Sequence, residues 1–474
     1  LDTEVAPGLL TDESSFAIML LVSCGFAAWY GYRHGKQYVL GAGMAVSMLA
    51  GTWFEITLWN TEINVAMATA IVLLIAYCTH SWREIFKALN LLDVLVGALM
   101  IWHIIVDVSH EGQPLAFTLR AYGQWMLPYA AGRYAFLHPG SMSKLSPVFV
   151  AVASFIAIAA VYESFTSVNL WETIFIHVDD KVSRVVGQRY GLLYRSIGPV
   201  RNAIFLGIML YLLLPFAVDL TTPRDDARWR RAAGFAGMIL IMLGIVATVS
   251  RGPMLCVVLA GAFALVCVNR YARWILIPLA AAGVIFTAVQ FDTVANYLES
   301  GGDEHTRSRI VDVDHEGDAE IHNNTRHRLL IPKIYGPIVF EGGPLGYGTT
   351  ASSGFPPRNI PGLPNDPAIS GLLRNVDNTY INIGLAFGWV GLALFVTLLI
   401  TTIVQALQLA PVASTYLYPS DARVAVAYAS IFFAIIFEIW TVHWSYDYSF
   451  WVLFQVGVVA GLTSQCVRVR RGEW

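Results

Sequence analysis

"RNVDNTYINIGLAFGWVGLALF" (residues 374–395) sets Arg374, Asn375, Asp377, Asn378, Thr379 and Tyr380 directly before an apolar run, with Asn382 just inside it. The run continues to residue 407, enough to cross the ~30 Å hydrocarbon core of a bilayer as a helix. Gly384, Gly388 and Gly391 punctuate it, although a helix gains no stability from glycine. Lipid rejects such a polar cluster unless the groups snorkel to water or face a buried site that uses them.

The same apolar texture pervades the chain. Of 474 residues 56% are hydrophobic and 13% charged, with a mean hydropathy of +0.58. A soluble domain of this length carries far more charge, so a soluble enzyme is excluded and a membrane protein is implied. The net charge of −3 gives no sign of a nucleic-acid partner, and none is expected because no basic run is long enough for a phosphate backbone. The aromatic share of 13% suits the interfacial belts of a polytopic protein. The 5 cysteines fall in or beside apolar runs without CxxC pairing, so neither a disulfide framework nor a thiolate metal site is expected. The chain opens on Leu1 rather than Met, and a signal peptide, a further span or a tag remnant is expected upstream.

Apolar windows of about 17–25 residues predict about thirteen spanning helices. They lie near 16–32, 38–59, 63–79, 91–109, 115–137, 147–166, 200–219, 232–250, 253–269, 274–290, 378–407, 422–442 and 448–466. The fifth, "FTLRAYGQWMLPYAAGRYAF", contains Arg120, Gln124, Pro128 and Arg133 and must face protein or a water-filled cavity if it spans. The short loops "YRHGKQ" (32–37), "SWREIFK" (81–87), "PRDDARWRR" (223–231) and "NRYAR" (269–273), and the tail "RVRRGEW", are basic. All fall on one face of this topology, which is therefore cytoplasmic.

The fold class expected is an all-α polytopic integral membrane protein with a long outer loop carrying amphipathic helices. Residues 1–290 form the first block of transmembrane helices, 291–377 the outer loop, and 378–474 the last helices and a cytoplasmic tail. Within the first block, 167–199 places Trp171, Ile174, Phe175, Val178, Val182 and Val185 at helical spacing, which predicts an amphipathic helix at the membrane surface. The outer loop, about 85 residues long, is of the kind that is functional or disordered. No 20–50-residue internal repeat is present.

Several motifs admit two readings. "TVSRGPML" (248–255) is a tight turn whose Arg251 snorkels, or a fixed guanidinium suited to a phosphate or diphosphate beside a free helix N-terminus. "NNTRHRLLIPKIYGPIVFEGGPLGYGTT" (323–350) predicts a helix with Arg326, Arg328 and Lys333 opposite Leu329, Leu330, Ile334, Ile338 and Val339. It is either a solvated basic helix or one that brings charge to the anion held by Arg251. Asp377 is either a helix N-cap or a functional carboxylate, whereas Asn378 and Tyr380 have no such local explanation. "DVDHEGDAE" (312–320) echoes a calcium loop, but Asn323 stands where a bidentate Glu belongs, which favours a solvated acidic loop. His305, His315 and His322 lack zinc spacing. "TVHWSYDYSFW" (441–451) sets His443, Tyr446 and Asp447 in an outer turn, as an aromatic belt or as a cavity lining.

Together these motifs resemble the O-antigen ligase and O-antigen polymerase superfamily of bacterial membrane glycosyltransferases. Ser250-Arg251-Gly252, Arg326-x-x-x-Leu330, Pro344-Leu345-Gly346-Tyr347-Gly348, and Asp377-Asn378-Thr379-Tyr380 with Gly388 and Gly391-Leu392 follow the order of that pattern over about residues 235–400. The ligases' histidine before the Asn is Asp377 here, which leaves transferase chemistry intact, loosens the ligase assignment and favours a polymerase-like member. The resemblance implies transfer or polymerisation of a glycan from undecaprenyl diphosphate onto a sugar hydroxyl, at the periplasmic face of the inner membrane. The acceptor is the growing glycan, or lipid A core in a ligase.

In that scheme Arg251, Arg326 and Arg328 hold the diphosphate and Asp377 is the general base. Asn378, Tyr380, His443 and Asp447 contribute more weakly to substrate binding. Neither a metal nor a cofactor is required if arginines carry the departing charge, and attack opposite the leaving group inverts the anomeric carbon. A lipid-linked glycan transporter is the rival class, and inverted repeats with matching broken helices, its signature, are not seen.

Overall fold

The computed structural model describes residues 12–58, 61–81, 88–174, 188–189, 193–222, 228–290, 325–352, 376–416 and 419–472. Its helices are α1 (Asp12–His34), α2 (Val39–Ser47), α3 (Val65–Ser81), α4 (Leu91–Glu111), α5 (Pro114–Ala121), α6 (Leu127–Ala135), α7 (Ser141–Thr166) and α8 (Leu170–Ile174). Then follow α9 (Ala203–Tyr211), α10 (Leu214–Thr221), α11 (Arg228–Ala247), α12 (Arg251–Val268), α13 (Arg270–Val289), α14 (Thr325–Glu341), α15 (Thr349–Ser352), α16 (Thr379–Tyr416), α17 (Pro419–Glu438) and α18 (Tyr446–Arg470). Two antiparallel hairpins, β1 (Glu55–Leu58) with β2 (Thr61–Asn64) and β3 (Gln188–Arg189) with β4 (Leu193–Tyr194), a 3-10 turn at Lys36–Tyr38 and a π-helical turn at Tyr122–Met126 complete the described secondary structure.

The architecture is that of a helical multi-pass membrane protein. Among the described residues 8 segments are long and apolar enough to cross a bilayer: α1, α4, α7, α9 with α10, α11, α12, α16 and α18. The window at 63–79 is the shorter apolar helix α3, and those at 274–290 and 422–442 are helical as α13 and α17.

Residues 38–59 do not form one span, contrary to the sequence reading. Helix α2 stops at Ser47, and Gly51 turns the chain at φ 57°, in the left-handed region that favours glycine. A side chain on Gly51 would fall on the Pro199 carbonyl, which also accepts from Thr52 N–H at 3.2 Å. The close approach of Pro199 leaves no room for a continuing helix, and 55–58 pairs with 61–64 instead. Window 115–137 is α5 and α6 joined by a π-helical turn at Tyr122–Met126. Arg133 is buried there because Asp93 Oδ1 lies 2.6 Å from its Nε and also accepts from Tyr129 at 2.7 Å. A compensated charge of this kind is tolerated inside a bundle.

Segment 167–199 is described only in part. It contains α8 and the β3–β4 hairpin, while Phe175, Val178, Val182 and Val185 lie outside the described residues. Its end is fixed by Glu163, whose two oxygens accept from Ile197 N–H at 3.1 Å and Gly198 N–H at 2.9 Å.

Helix α18 is the centre of the bundle, 89% buried over its apolar window, so it faces protein rather than lipid. Gly132 of α6 meets the Phe454 carbonyl, and Gly457 and Gly461 meet the Tyr129 and Arg133 carbonyls. Lipid tails are as apolar as leucine, so association within a membrane relies on such close packing more than on burial from water. Phe149 and Phe216 stack nearby with centroids 4.3 Å apart.

Candidate active site

The Ser250-Arg251-Gly252 turn joins α11 to α12. Val249 before it has φ 47°, a left-handed conformation that is an outlier for a β-branched residue and costs on the order of 1–3 kcal/mol. Its surroundings hold the turn: Arg195 Nη2 donates to Ser250 Oγ at 3.1 Å, and Ser196 N–H donates to the Ala247 carbonyl at 3.3 Å. The segment anchored by Glu163 thereby braces the turn. Arg251, the first residue of α12, is exposed.

Gly252 makes room for a carboxylate. A Cβ built there would lie 2.5 Å from Glu438 Oε1, and Glu438 Oε2 accepts from Cys256 Sγ–H at 3.1 Å. Glu438 is the last residue of α17 and is 3% exposed. Arg328, in the first turns of α14, lies within electrostatic reach of it.

At the start of α16 the cap is Asn378, whose Oδ1 accepts from Ile381 N–H at 3.1 Å. Asp377 is thus released from the capping role, and its Oδ1 stands 3.5 Å from His443 Nδ1. Thr379 ties α16 to the α17–α18 loop: its N–H donates to Ile439 O at 2.9 Å and its hydroxyl to Val442 O at 2.7 Å. Tyr448 donates to His443 O at 2.9 Å, and the Tyr380 hydroxyl donates to Ile436 O at 2.8 Å. Tyr380 and Asn378 therefore both have structural explanations that the sequence did not reveal. Asp447 is buried in the first turn of α18, within electrostatic reach of Arg201 and His443.

Helix α14 packs Ile331, Ile334, Tyr335, Ile338 and Val339 against Val376 and Leu385 of the α16 region, leaving Lys333 exposed. Gly384 permits this approach, since a Cβ there would meet Val339 Cγ1 at 2.7 Å. The turn after α14 then locks into a break in α16 at Gly388 (φ 66°, ψ −175°). Tyr347 and Gly348 N–H donate to the Leu385 and Ala386 carbonyls at 2.8 and 3.0 Å, and Trp389 N–H donates to Gly343 O at 3.2 Å. The Phe387 carbonyl accepts from Trp102 Nε1 at 2.9 Å. Every backbone group named here that the break frees has found a protein partner, as a broken membrane helix requires. Trp102→Phe removes one of these bonds while keeping an aromatic ring. It is expected to cost about 1–3 kcal/mol, read as a lower melting temperature in detergent. An unchanged melting temperature would show that another donor replaces the indole.

A second buried polar cluster adjoins this clamp. His103 Nε2 lies 3.0 Å from Asp107 Oδ2, and its Nδ1 accepts from Trp125 Nε1 at 3.0 Å. Asp107 also accepts from Thr349, through N–H at 2.9 Å and through the hydroxyl at 2.6 Å. Residues of α4 thus hold the end of the Pro344–Gly348 turn to the bundle.

The sequence-predicted residues meet at one end of the bundle in part. The Arg251–Gly252 turn and Arg328 lie near Glu438, and Asp377 pairs with His443 two residues before Thr379, whose hydroxyl lies 3.2 Å from the Tyr448 hydroxyl. The Arg326 side chain lies outside the described residues, as does the acidic loop 312–320. Among the described residues no cluster of His, Cys, Asp or Glu could hold a metal. Glu438 was missed, although it is the one charge in the run 424–442 and sits at a helix C-terminus, where an anion is disfavoured. His103 and Asp107, four apart in an apolar helix, were a legible pair. Arg195 and Glu163 belong to no motif.

Residues 236–396 match a family model described as O-Antigen ligase. The match supports the O-antigen ligase and polymerase superfamily, and with it a ligase- or polymerase-type function acting on lipid-linked glycan and an acceptor. No curated protein matches the chain.

Proposed function

We propose that the protein is a membrane glycosyltransferase. It transfers or polymerises oligosaccharide from undecaprenyl diphosphate onto a sugar hydroxyl at the periplasmic face of the bacterial inner membrane, and a polysaccharide polymerase is favoured over a ligase. The observation that carries this reading is the meeting of the strained Arg251 turn, Arg328 of α14 and the Asp377–His443 pair at one end of the bundle. Arg251, Arg326 and Arg328 bind the diphosphate. Asp377 accepts the proton of the acceptor hydroxyl, whose oxygen attacks the anomeric carbon. The bond to the diphosphate breaks on the opposite face, and the leaving group departs with its electron pair, inverting that carbon. Guanidinium groups neutralise the charge as it develops, so the step needs no metal. Asn378, Tyr380, His443 and Asp447 line the acceptor side.

The test is purified protein supplied with lipid-linked glycan. Arg251→Ala and Arg328→Ala should each lower turnover by at least about 100-fold with the fold intact, and Lys should restore little because a point charge does not replace the planar fork. Near-normal turnover of Arg251→Ala would place the diphosphate elsewhere. Glycan moved across a bilayer without a new glycosidic bond would make the protein a transporter, and product on lipid A core would make it a ligase.

A further inference from the structure

The Glu438 carboxylate packs against the side of Gly252, one residue into α12. It rests against the first turn of α12, whose backbone N–H groups lack helical partners. Its Oε1 has no hydrogen-bond partner, although the residue is 3% exposed. Arg328 Nε, buried and also without a partner, belongs to the same cluster. Nothing in α17 explains a carboxylate there, because the carbonyl groups ending that helix repel an anion. Helix α12 and Arg328 do explain it. Both bring positive charge near it, so the protein supplies its own anion beside these cations.

A diphosphate bound to the same cations adds two negative charges beside this buried carboxylate. In a water-poor setting the two anions repel strongly unless one is neutralised. Resting on the reading of α12 and α14 as the diphosphate site, we propose that Glu438 is the internal counter-anion of that site. It balances Arg328 and the α12 N-terminus while donor is absent and takes up one proton from solvent as the diphosphate binds. The protonated carboxyl then donates a hydrogen bond to a phosphate oxygen instead of opposing it. The role also accounts for Gly252, where any side chain would expel the carboxylate.

The groups facing Glu438 are Cys256 and the adjacent Arg251 turn of α12, Arg328 of α14, Tyr211 of α9 and Tyr448 of α18. Asp377 lies beyond Tyr448 and is paired with His443. Of these, the His443 imidazole is the rival acceptor of a proton.

A short-chain prenyl-diphosphate-linked sugar is a suitable probe, since a diphosphate esterified at both ends does not titrate near neutrality. Its affinity for the parent protein, measured from about pH 6 to about pH 9, should fall about tenfold per pH unit above the carboxyl's own titration. Calorimetry in two buffers of different ionisation heat should give an uptake of about one proton. Glu438→Gln, which keeps the shape without the charge, should bind at least about tenfold tighter at the upper pH and lose both the slope and the uptake. An uptake of zero in the parent overturns the proposal without recourse to any variant. Uptake that persists in Glu438→Gln overturns it too and assigns the proton to His443. Absence of probe binding by the parent at any pH would instead defeat the diphosphate reading itself.

Discussion

Asp377→Asn is expected to lower glycan transfer by about two to four orders of magnitude, the range for loss of a general base, with donor binding unchanged. The substitution is cleaner than the sequence suggested. A carboxylate at a helix start invites the reading of an N-cap, and loss of a cap alone costs about 1 kcal/mol. Here the cap is Asn378, which bonds Ile381 N–H, so Asp377→Asn leaves the helix start intact. The shape facing His443 Nδ1 at 3.5 Å also persists, and only the capacity to accept a proton is lost. His443, 47% exposed and set against the Phe205 ring at 5.3 Å, is the competing base, with Asp377 as its orienting partner. The two assignments separate in one assay of glycan extension. His443→Gln should lose no more than about tenfold if Asp377 accepts the proton, and as much as Asp377→Asn if His443 does. An Asp377→Asn protein as active as its parent would reduce Asp377 to a structural residue and move the search to His443 and Asp447.

Gly388→Ala should have the larger effect on folding. The conformation at Gly388 (φ 66°, ψ −175°) is one that essentially only glycine adopts, and forcing another residue into it costs on the order of 1–3 kcal/mol. A methyl group there would also fall on the Pro344 and Gly343 carbonyls, which are backbone and cannot turn aside. Relieving that overlap separates the Gly343–Gly348 turn from α16 and leaves the Leu385 and Ala386 carbonyls and Trp389 N–H without their partners within the bundle. Each such loss adds about 1 kcal/mol or more, for a total above about 4 kcal/mol. The expected result is a protein recovered as aggregate, or one whose α14 is readily proteolysed. A Gly388→Ala protein that melts within a few degrees of the parent would mean that the turn does not clamp the break.

These two positions show how far the residues speak for themselves. Gly388 was visible as a glycine with no local purpose, and Pro344-Leu345-Gly346-Tyr347-Gly348 as a glycine-rich turn about forty residues earlier. Their interlocking was not visible, because backbone-to-backbone contacts leave no trace in side-chain pattern. Likewise Arg251 and Arg328 announced themselves as charges beside apolar helices, whereas Glu438 was lost among the apolar residues of α17. Residues 38–59 misled for a related reason. Their apolar content meets the length rule for a span, but Pro199 takes the place of the continuing helix, and that contact comes from far along the chain.

What the sequence by itself determined is what depends on solvent preference and local period. Long apolar windows must be helical in lipid, where unpaired backbone groups are intolerable. The amphipathic register of α14 follows equally from spacing alone. Only the tertiary structure decided that Asn378 rather than Asp377 caps α16, that His443 pairs with Asp377, and that Glu438 lies over Gly252 beside Arg328. Those outcomes rest on which helix ends meet, and helix ends meet through the packing of small residues such as Gly132, Gly457 and Gly384. That packing is a property of paired surfaces, which no single stretch of chain encodes.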